Sequence, residues 1–385
     1  MNIFEVIMAG GGGSRFWPLS REARPKQLLN LTGRDIMINE TALRMEPLVS
    51  RDHVYIVTNR AQRAQMESLL LDGIDRTHIL AEPAARNTAP CILYAALTLH
   101  KQWGDGVMCV LPADHYIEDT KEYRRVMARA AEVAAATGQI VTIGIAPSYA
   151  ATGYGYIACA DSAPDMPDVY RVEAFVEKPC EEDARAYLER GNYLWNSGVF
   201  VWKISTILKA FQEYLPDMYD ALRPICELDE GDLRAFLEQV YPSLGSISVD
   251  YGIMEHVSDV LTLRGDYGWS DVGSLDALTA FYPEDDNGNV LIGDVLAVDS
   301  AGSIVRGAGK LIAVVGAKDL MVIDTEDALL VCPKNRAQDV RRVAEKLKQQ
   351  NRKERQRDCD EVCVNYRNYR TGWLLSGRAA ARKRV

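Results

Sequence analysis

The chain has 385 residues, 48% of them hydrophobic and 25% charged, and a formal net charge of −10. This is the composition of a soluble globular protein with room for roughly two or three domains. The acidic balance excludes a nucleic-acid binder built on a broad basic face, and no run reaches the ~18 apolar residues that span a bilayer.

Ile3–Met8 reads as a strand, and Glu5 interrupts it too early for a secretory leader. Four consecutive glycines follow, Gly10 to Gly13, and lead into Ser14 and Arg15, with Lys26 a few residues on. Strand patterns recur at His53–Thr58, Val107–Leu111 and Ile140–Ile145, separated by helical patterns at Arg60–Leu70, Ala89–Trp103 and Lys121–Thr137. Thr88 is the expected cap of the second helix, and Gly138 is the expected stop of the third. This alternation predicts an α/β fold with a mainly parallel sheet, whose ligands lie beyond the carboxyl ends of the strands.

From about Gly153 to Glu255 the pattern is mixed. Strands are expected at Val169–Val176 and Gly198–Trp202, and helices at Ile204–Tyr214 and Leu233–Val240, as for a more antiparallel substrate region. After Pro283, short apolar runs at Val295–Val298, Ile304–Val305, Leu311–Val315, Leu320–Ile323 and Leu329–Val331 predict a small β domain. An amphipathic helix follows at about Ala337–Lys348. The expected division is therefore 1–282, 283–334, a helix within 335–351, and a basic tail, 352–385. The tail carries ten Lys/Arg against four Asp/Glu, and reads as a loosely ordered solvated segment. The eight cysteines are scattered, with Cys91, Cys109, Cys159 and Cys332 in apolar contexts, which suits free thiols in the cytoplasm. Cys359 and Cys363 are close together but have no second pair at zinc spacing.

The glycine run fits neither common nucleotide fingerprint. GxxxxGK[ST] fails because no lysine follows Gly13, and GxGxxG fails because Arg15 stands at its third position. A plain flexible turn remains open. Against it, Arg15 can grip phosphate oxygens with a planar fork, Lys26 adds a point charge, and bare glycine N–H groups add donors. Those features make a polyphosphate cradle.

Met8-Ala9-Gly10-Gly11-Gly12-Gly13-Ser14-Arg15-Phe16-Trp17-Pro18-Leu19-Ser20-Arg21, followed by Pro25-Lys26-Gln27, resembles the signature of sugar-1-phosphate nucleotidylyltransferases. More narrowly, it is similar to mannose-1-phosphate guanylyltransferases, whose pattern has serine at Gly12, threonine at Ser14 and usually leucine at Phe16. The resemblance implies a Rossmann-like nucleotidyltransferase domain followed by a small left-handed β-helix domain. It implies nucleotide contacts from Ala9, Gly10, Gly11, Gly12, Gly13, Ser14, Arg15 and Lys26.

Further segments carry the resemblance to about residue 280. Glu82-Pro83-Ala84-Ala85-Arg86-Asn87-Thr88 is similar to the family's nucleotide-side stretch, which implies roles for Glu82, Arg86 and Asn87. Read from the residues alone, Arg86 and Asn87 sit at the positive end of a helix, where an anion or a purine edge is favoured. Asp114 ends the Val107–Leu111 strand, either as a Mg²⁺ ligand or as an ordinary turn residue. In the family that aspartate and the one matching Asp271, in Gly268-Trp269-Ser270-Asp271-Val272-Gly273, hold the metal. Gly153-Tyr154-Gly155, Glu177-Lys178 and Asn196-Ser197 match sugar-side segments. Lys178 then falls on the sugar phosphate, with Glu177 and Asn196 on hydroxyls. Asp250-Tyr251-Gly252-Ile253-Met254-Glu255 matches as well, without assigned contacts. His115 reads as a structural hydrogen-bonding residue.

The resemblance implies transfer of GMP from GTP to mannose 1-phosphate, giving GDP-mannose and pyrophosphate, with Mg²⁺ and with Arg15, Lys26, Lys178, Asp114 and Asp271 as catalytic residues. It also implies a homodimer. The same chemistry on another sugar phosphate or nucleotide, and a nucleotide-sugar-binding regulator without turnover, are the alternatives. About 50 residues follow the small β domain, too few for a further domain of ordinary size.

Overall fold

In the first strand side chains alternate between two cores. Phe4 and Val6 enter one and Ile7 enters the other, which is what a strand covered on both faces requires. The computed structural model describes residues 1–163, 165–352 and 354. Nearly all of the basic tail, with Cys359 and Cys363, lies outside the described residues.

Through the first two thirds of the chain the strands are β1 (Ile3–Met8), β2 (Val54–Asn59), β3 (Ile79–Glu82), β4 (Val107–Pro112), β5 (Tyr116–Ile117), β6 (Ile140–Ile145), β7 (Tyr156–Ala163), β8 (Met166–Val176), β9 (Tyr193–Lys203) and β10 (Val260–Gly265). All but β5 form one sheet in the order β3-β2-β1-β4-β9-β6-β10-β8-β7. β1, β2, β3 and β4 pair in parallel, as do β6 and β10. β9 enters antiparallel between β4 and β6, and β7 and β8 add an antiparallel edge. The mixed texture expected after Gly153 thus belongs to the same sheet.

The helices are α1 (Met37–Met45), α2 (Arg60–Leu69), α3 (Thr88–Trp103), α4 (Thr120–Thr137), α5 (Glu181–Arg190), α6 (Ile204–Tyr214), α7 (Pro216–Leu222), α8 (Glu230–Val240) and α9 (Val340–Gln349). Residues of α1, α2 and α4 fill the Ile7 side of the sheet, and those of α3, α6 and α7 the Phe4 side. α3 is apolar nearly all round, with eleven buried residues, as a helix inside a core must be. α4 starts where the Asp119 carboxylate accepts from the N–H groups of Lys121 and Glu122, and stops at Gly138 with φ 69°. α3 differs from expectation at its start. Asn87 is the cap, at φ 68°, and its side chain accepts from the Thr88 N–H. The Thr88 hydroxyl instead accepts from the N–H of Val249 at 2.9 Å.

β5 leaves the sheet to pair with β11 (Trp269–Ser270). Beyond it, β12 (Val290–Ile292), β13 (Val295–Val298), β14 (Ile304–Arg306), β15 (Ile312–Val315), β16 (Leu320–Asp324) and β17 (Leu329–Pro333) build the small β region. β12, β14 and β16 stack in parallel, as do β13 and β15, and β17 closes antiparallel on β16. Its core is shared rather than private. Val290, Ile304, Met321 and Ile323 cluster with Phe16, Leu29, Met37 and Val272 of the large unit. Burying Phe16 alone is worth about 1.5–3 kcal/mol to that junction. A buried ion pair, Arg21 Nη2 to Asp327 Oδ1 at 2.6 Å, crosses the same seam.

Candidate active site

The parallel strands release their functional residues at one end. The loop after β1 carries Ala9–Gly13, the end of β3 carries Glu82, and the end of β4 leads into Asp114 and His115. Gln27 shapes the glycine loop from beneath, donating to the Ala9 and Gly11 carbonyls at 2.6 and 3.1 Å. Gln62 donates to the Gly11 carbonyl, and the Ser20 hydroxyl to that of Gly13 at 2.6 Å. These bonds tie down the loop carbonyls of Ala9, Gly11 and Gly13.

The glycines of this loop are not equivalent. Gly13 has φ 59°, and a Cβ there would stand 2.6 Å from the Lys26 backbone nitrogen. At Gly12 a Cβ meets nothing within 4 Å, so the family's serine fits. Gly13→Ala is expected to cost about 1–3 kcal/mol of stability, and Gly12→Ser close to none, as read by thermal unfolding. Equal effects at the two positions would contradict this account of the loop.

A cavity of about 510 Å³ opens against this end of the sheet. Gly10, Gly11, Glu82, Arg86, Asn87 and Asp114 line it, together with Gly153, Tyr154, Gly155, Glu177, Asn196, Ser197 and Asp271. Nucleotide-side and sugar-side expectations therefore meet in one space. Ala9, Gly12, Gly13, Ser14, Arg15, Lys26 and Lys178 are not among its lining residues. Ala9 is buried behind the loop, and Ser14 and Arg15 are exposed on the short turn Ser14–Phe16. Arg15 Nη1 donates to Gln338 Oε1 at 3.5 Å, and Gln338 Nε2 donates to the Ser274 hydroxyl at 2.9 Å.

Lys26 is buried, and its ammonium joins the two aspartate loops. It donates to Asp114 Oδ2 at 3.0 Å and to the Asp271 backbone carbonyl at 2.6 Å. Burial is the largest influence on Asp114 and raises its pKa, but the Lys26 charge and hydrogen bond, acting together with other neighbours such as Arg15, outweigh it and hold the carboxyl below its usual value. Tyr154 donates to Asp271 Oδ1 at 2.8 Å and fixes that carboxylate. Trp269 donates to His115 Nδ1 at 3.2 Å, and burial pushes this imidazole down to about 4. His115 accepts this bond as a neutral imidazole, a hydrogen-bonding role of the kind read from the sequence.

On the sugar side, a Cβ on Gly155 would collide with Glu177 Oε2 and displace that carboxylate from its present position. Lys178, at φ 46°, pairs with Glu177 Oε1 at 2.6 Å, and that hydrogen bond raises the lysine pKa. Asn87, Lys178 and Val272 hold left-handed backbone at or beside the cavity, where such strain is commonly stored. The Ser197 hydroxyl is engaged by the Ile143 carbonyl at 2.6 Å. Arg86 donates to the Pro242 carbonyl.

Several lining residues escaped the sequence. Asp250 accepts from Asn196 Nδ2 at 2.9 Å, and burial, then the charge of Glu177, pushes its carboxyl up to about 6. The VDYGIME stretch was its signal, without an assigned contact. Asn59 and Trp269 also line the cavity, and nothing local marks Asn59.

Residues 4–287 match the nucleotidyl transferase family, and residues 293–347 match a MannoseP isomerase/GMP-like beta-helix domain. The chain belongs to the nucleotidyl transferase family. It is 38% identical over 365 residues to the alginate biosynthesis protein AlgA of Pseudomonas aeruginosa, covering 92% of this chain and 74% of that one. It is 38% identical over 369 residues to a mannose-1-phosphate guanylyltransferase of Escherichia coli, covering 92% and 76%. A solved structure described as a mannose-1-phosphate geranyltransferase from Thermus thermophilus superposes with TM-score 0.82 at 35% identity, over 90% of this chain and all of that one. The nucleotidyl transferase match spans the large sheet, and the second match falls on the stacked short strands. Among the described residues, no helix is long and apolar enough to cross a membrane.

Proposed function

We propose that this nucleotidyl transferase joins GTP and α-D-mannose 1-phosphate to give GDP-mannose and pyrophosphate. The supporting observation is one cavity lined by Gly10 and Gly11 of the glycine loop and Glu82, by the sugar-side Glu177 and Asn196, and by both aspartates. The relatives' names supply the substrates. The sugar phosphate brings its own ionised oxygen as nucleophile, so the protein needs no general base. Its task is to align two anions and offset their charge. Loop N–H groups face the triphosphate, Lys178 meets the incoming sugar phosphate, and Glu177, Asn196 and Asp250 accept from or donate to sugar hydroxyls. Arg15 and Lys26 stabilise the leaving pyrophosphate.

Asp114 and Asp271 would hold Mg²⁺. The donor set fits: two hard carboxylates lining one cavity, leaving the remaining positions to water and phosphate oxygens as Mg²⁺ prefers. When bound, the ion supplies positive charge to the phosphate oxygens. The reading includes a cytoplasmic location, in keeping with the free thiols of Cys91, Cys109 and Cys159. It also includes a homodimer, with the exposed Leu296, Val298, Leu311 and Val315 of the small β region as the face a second copy covers.

Pyrophosphate release across four nucleoside triphosphates and several sugar 1-phosphates tests the reading. The pair GTP and mannose 1-phosphate is expected to give the highest kcat/KM. A higher value for another pair, or no turnover with any, overturns it.

A further inference from the structure

A turn remote from every motif reaches the nucleotide side of the cavity. Tyr241 opens the short turn Tyr241–Ser243 after α8 and is fully buried. Its hydroxyl donates to Glu82 Oε1 at 2.5 Å. The other oxygen, Oε2, lies 3.1 Å from where a Cβ on Gly10 would stand, and both Gly10 and Glu82 line the cavity. The strap that follows is fastened at three more points. Arg86 donates to the Pro242 carbonyl, Ala89 N–H to the Ile247 carbonyl at 3.1 Å, and Val249 N–H to the Thr88 hydroxyl at 2.9 Å. Residues 241–249 therefore run along residues 82–89 as a second wall of the nucleotide side.

We propose that Tyr241 is a positioning residue for base selection: its phenol holds Glu82 as a carboxylate, with Oε2 left to accept from the N1–H and N2–H donors of guanine. This rests on the GTP reading above. An ionised carboxylate offers only acceptors, whereas the protonated acid turns one oxygen into a donor facing the donors of the base. Burial pushes Glu82 up to about 7, and the Tyr241 hydrogen bond opposes that rise. The other titratable groups near it are Cys91 and Tyr94 of α3, both pushed up by burial, and Arg63 of α2, which acts on Tyr94. Removing the Tyr241 hydroxyl therefore raises the Glu82 pKa further. The accepting form becomes the minority near neutral pH and returns as pH rises.

The test is Tyr241→Phe in the full chain, with kcat and KM followed from about pH 6 to pH 9. A hydrogen bond to a charged group is worth about one pKa unit or more, so KM for GTP is expected to rise about five-fold near pH 7. It returns close to the wild-type value near pH 9, with KM for mannose 1-phosphate unchanged throughout. An unchanged pH profile, or a loss that does not depend on pH, overturns the inference. Glu82→Gln keeps the shape and cannot titrate, so the acid limb in KM for GTP must vanish in it; a persisting limb also overturns the inference. The wild type is measured first. If it prefers another nucleotide, the GTP reading has failed, and that failure is visible before any variant is made.

Discussion

Lys26→Met is expected to lower kcat by about 10²–10³-fold, the usual cost of removing one placed charge from a transition state. KM for mannose 1-phosphate is expected to stay within about two-fold, because a group that acts in the transition state leaves ground-state sugar binding alone. The ammonium is already in place without substrate, held between Asp114 Oδ2 and the Asp271 carbonyl. It lies 5.4 Å from the centre of the Phe16 ring, and methionine preserves that packing while removing the charge. Steady-state kinetics read the split. A rise in sugar KM with kcat intact would remove Lys26 from the chemistry.

The second large effect concerns the two aspartates. Asp114→Asn and Asp271→Asn keep shape and remove charge, and each is expected to cost about 10³-fold or more in Mg²⁺-dependent turnover. Binding of Mn²⁺ to the free protein, followed by its paramagnetic resonance, is expected to weaken at least about 10-fold, since even residues that only support a metal ligand cost that much. Normal binding in either variant would sink its assignment as a ligand. The variants differ in one respect. Asp114→Asn also strips Lys26 of its ion-pair partner, whereas Asp271 meets Lys26 through a backbone carbonyl that the substitution leaves in place.

Much of the frame was legible in the sequence because its signals are local. β1 and β6 match their expected bounds, Ile3–Met8 and Ile140–Ile145, since a strand covered on both faces reads as a mainly apolar run, which the single Glu5 or Thr142 does not disguise. The glycine loop stood out because its backbone carries the chemistry and side chains would obstruct it. What stayed hidden depends on distant partners. Tyr241 is 159 residues from Glu82, and a lone tyrosine after an amphipathic helix looks like packing. The cap of α3 falls one residue before the expected one because Asn87 and Thr88 can both cap, and Val249, brought in by the fold, takes the threonine hydroxyl. Glu5 is the opposite surprise: an acid wholly buried in β1, its pKa raised well above the usual range by burial despite the nearby charge of Arg44.

Gln338 touches Arg15 with its carbonyl and Ser274 with its amide. It belongs to the segment after β17, so Arg15 and the stretch just past Asp271 are both braced by a residue from beyond the small β region. With the shared core around Phe16, this makes the large unit a poor cassette for transplantation. A chimera that joins it to a foreign β region inherits a new floor under Arg15. Keeping Arg15 braced then requires matching the residue at position 338 as well as the seam.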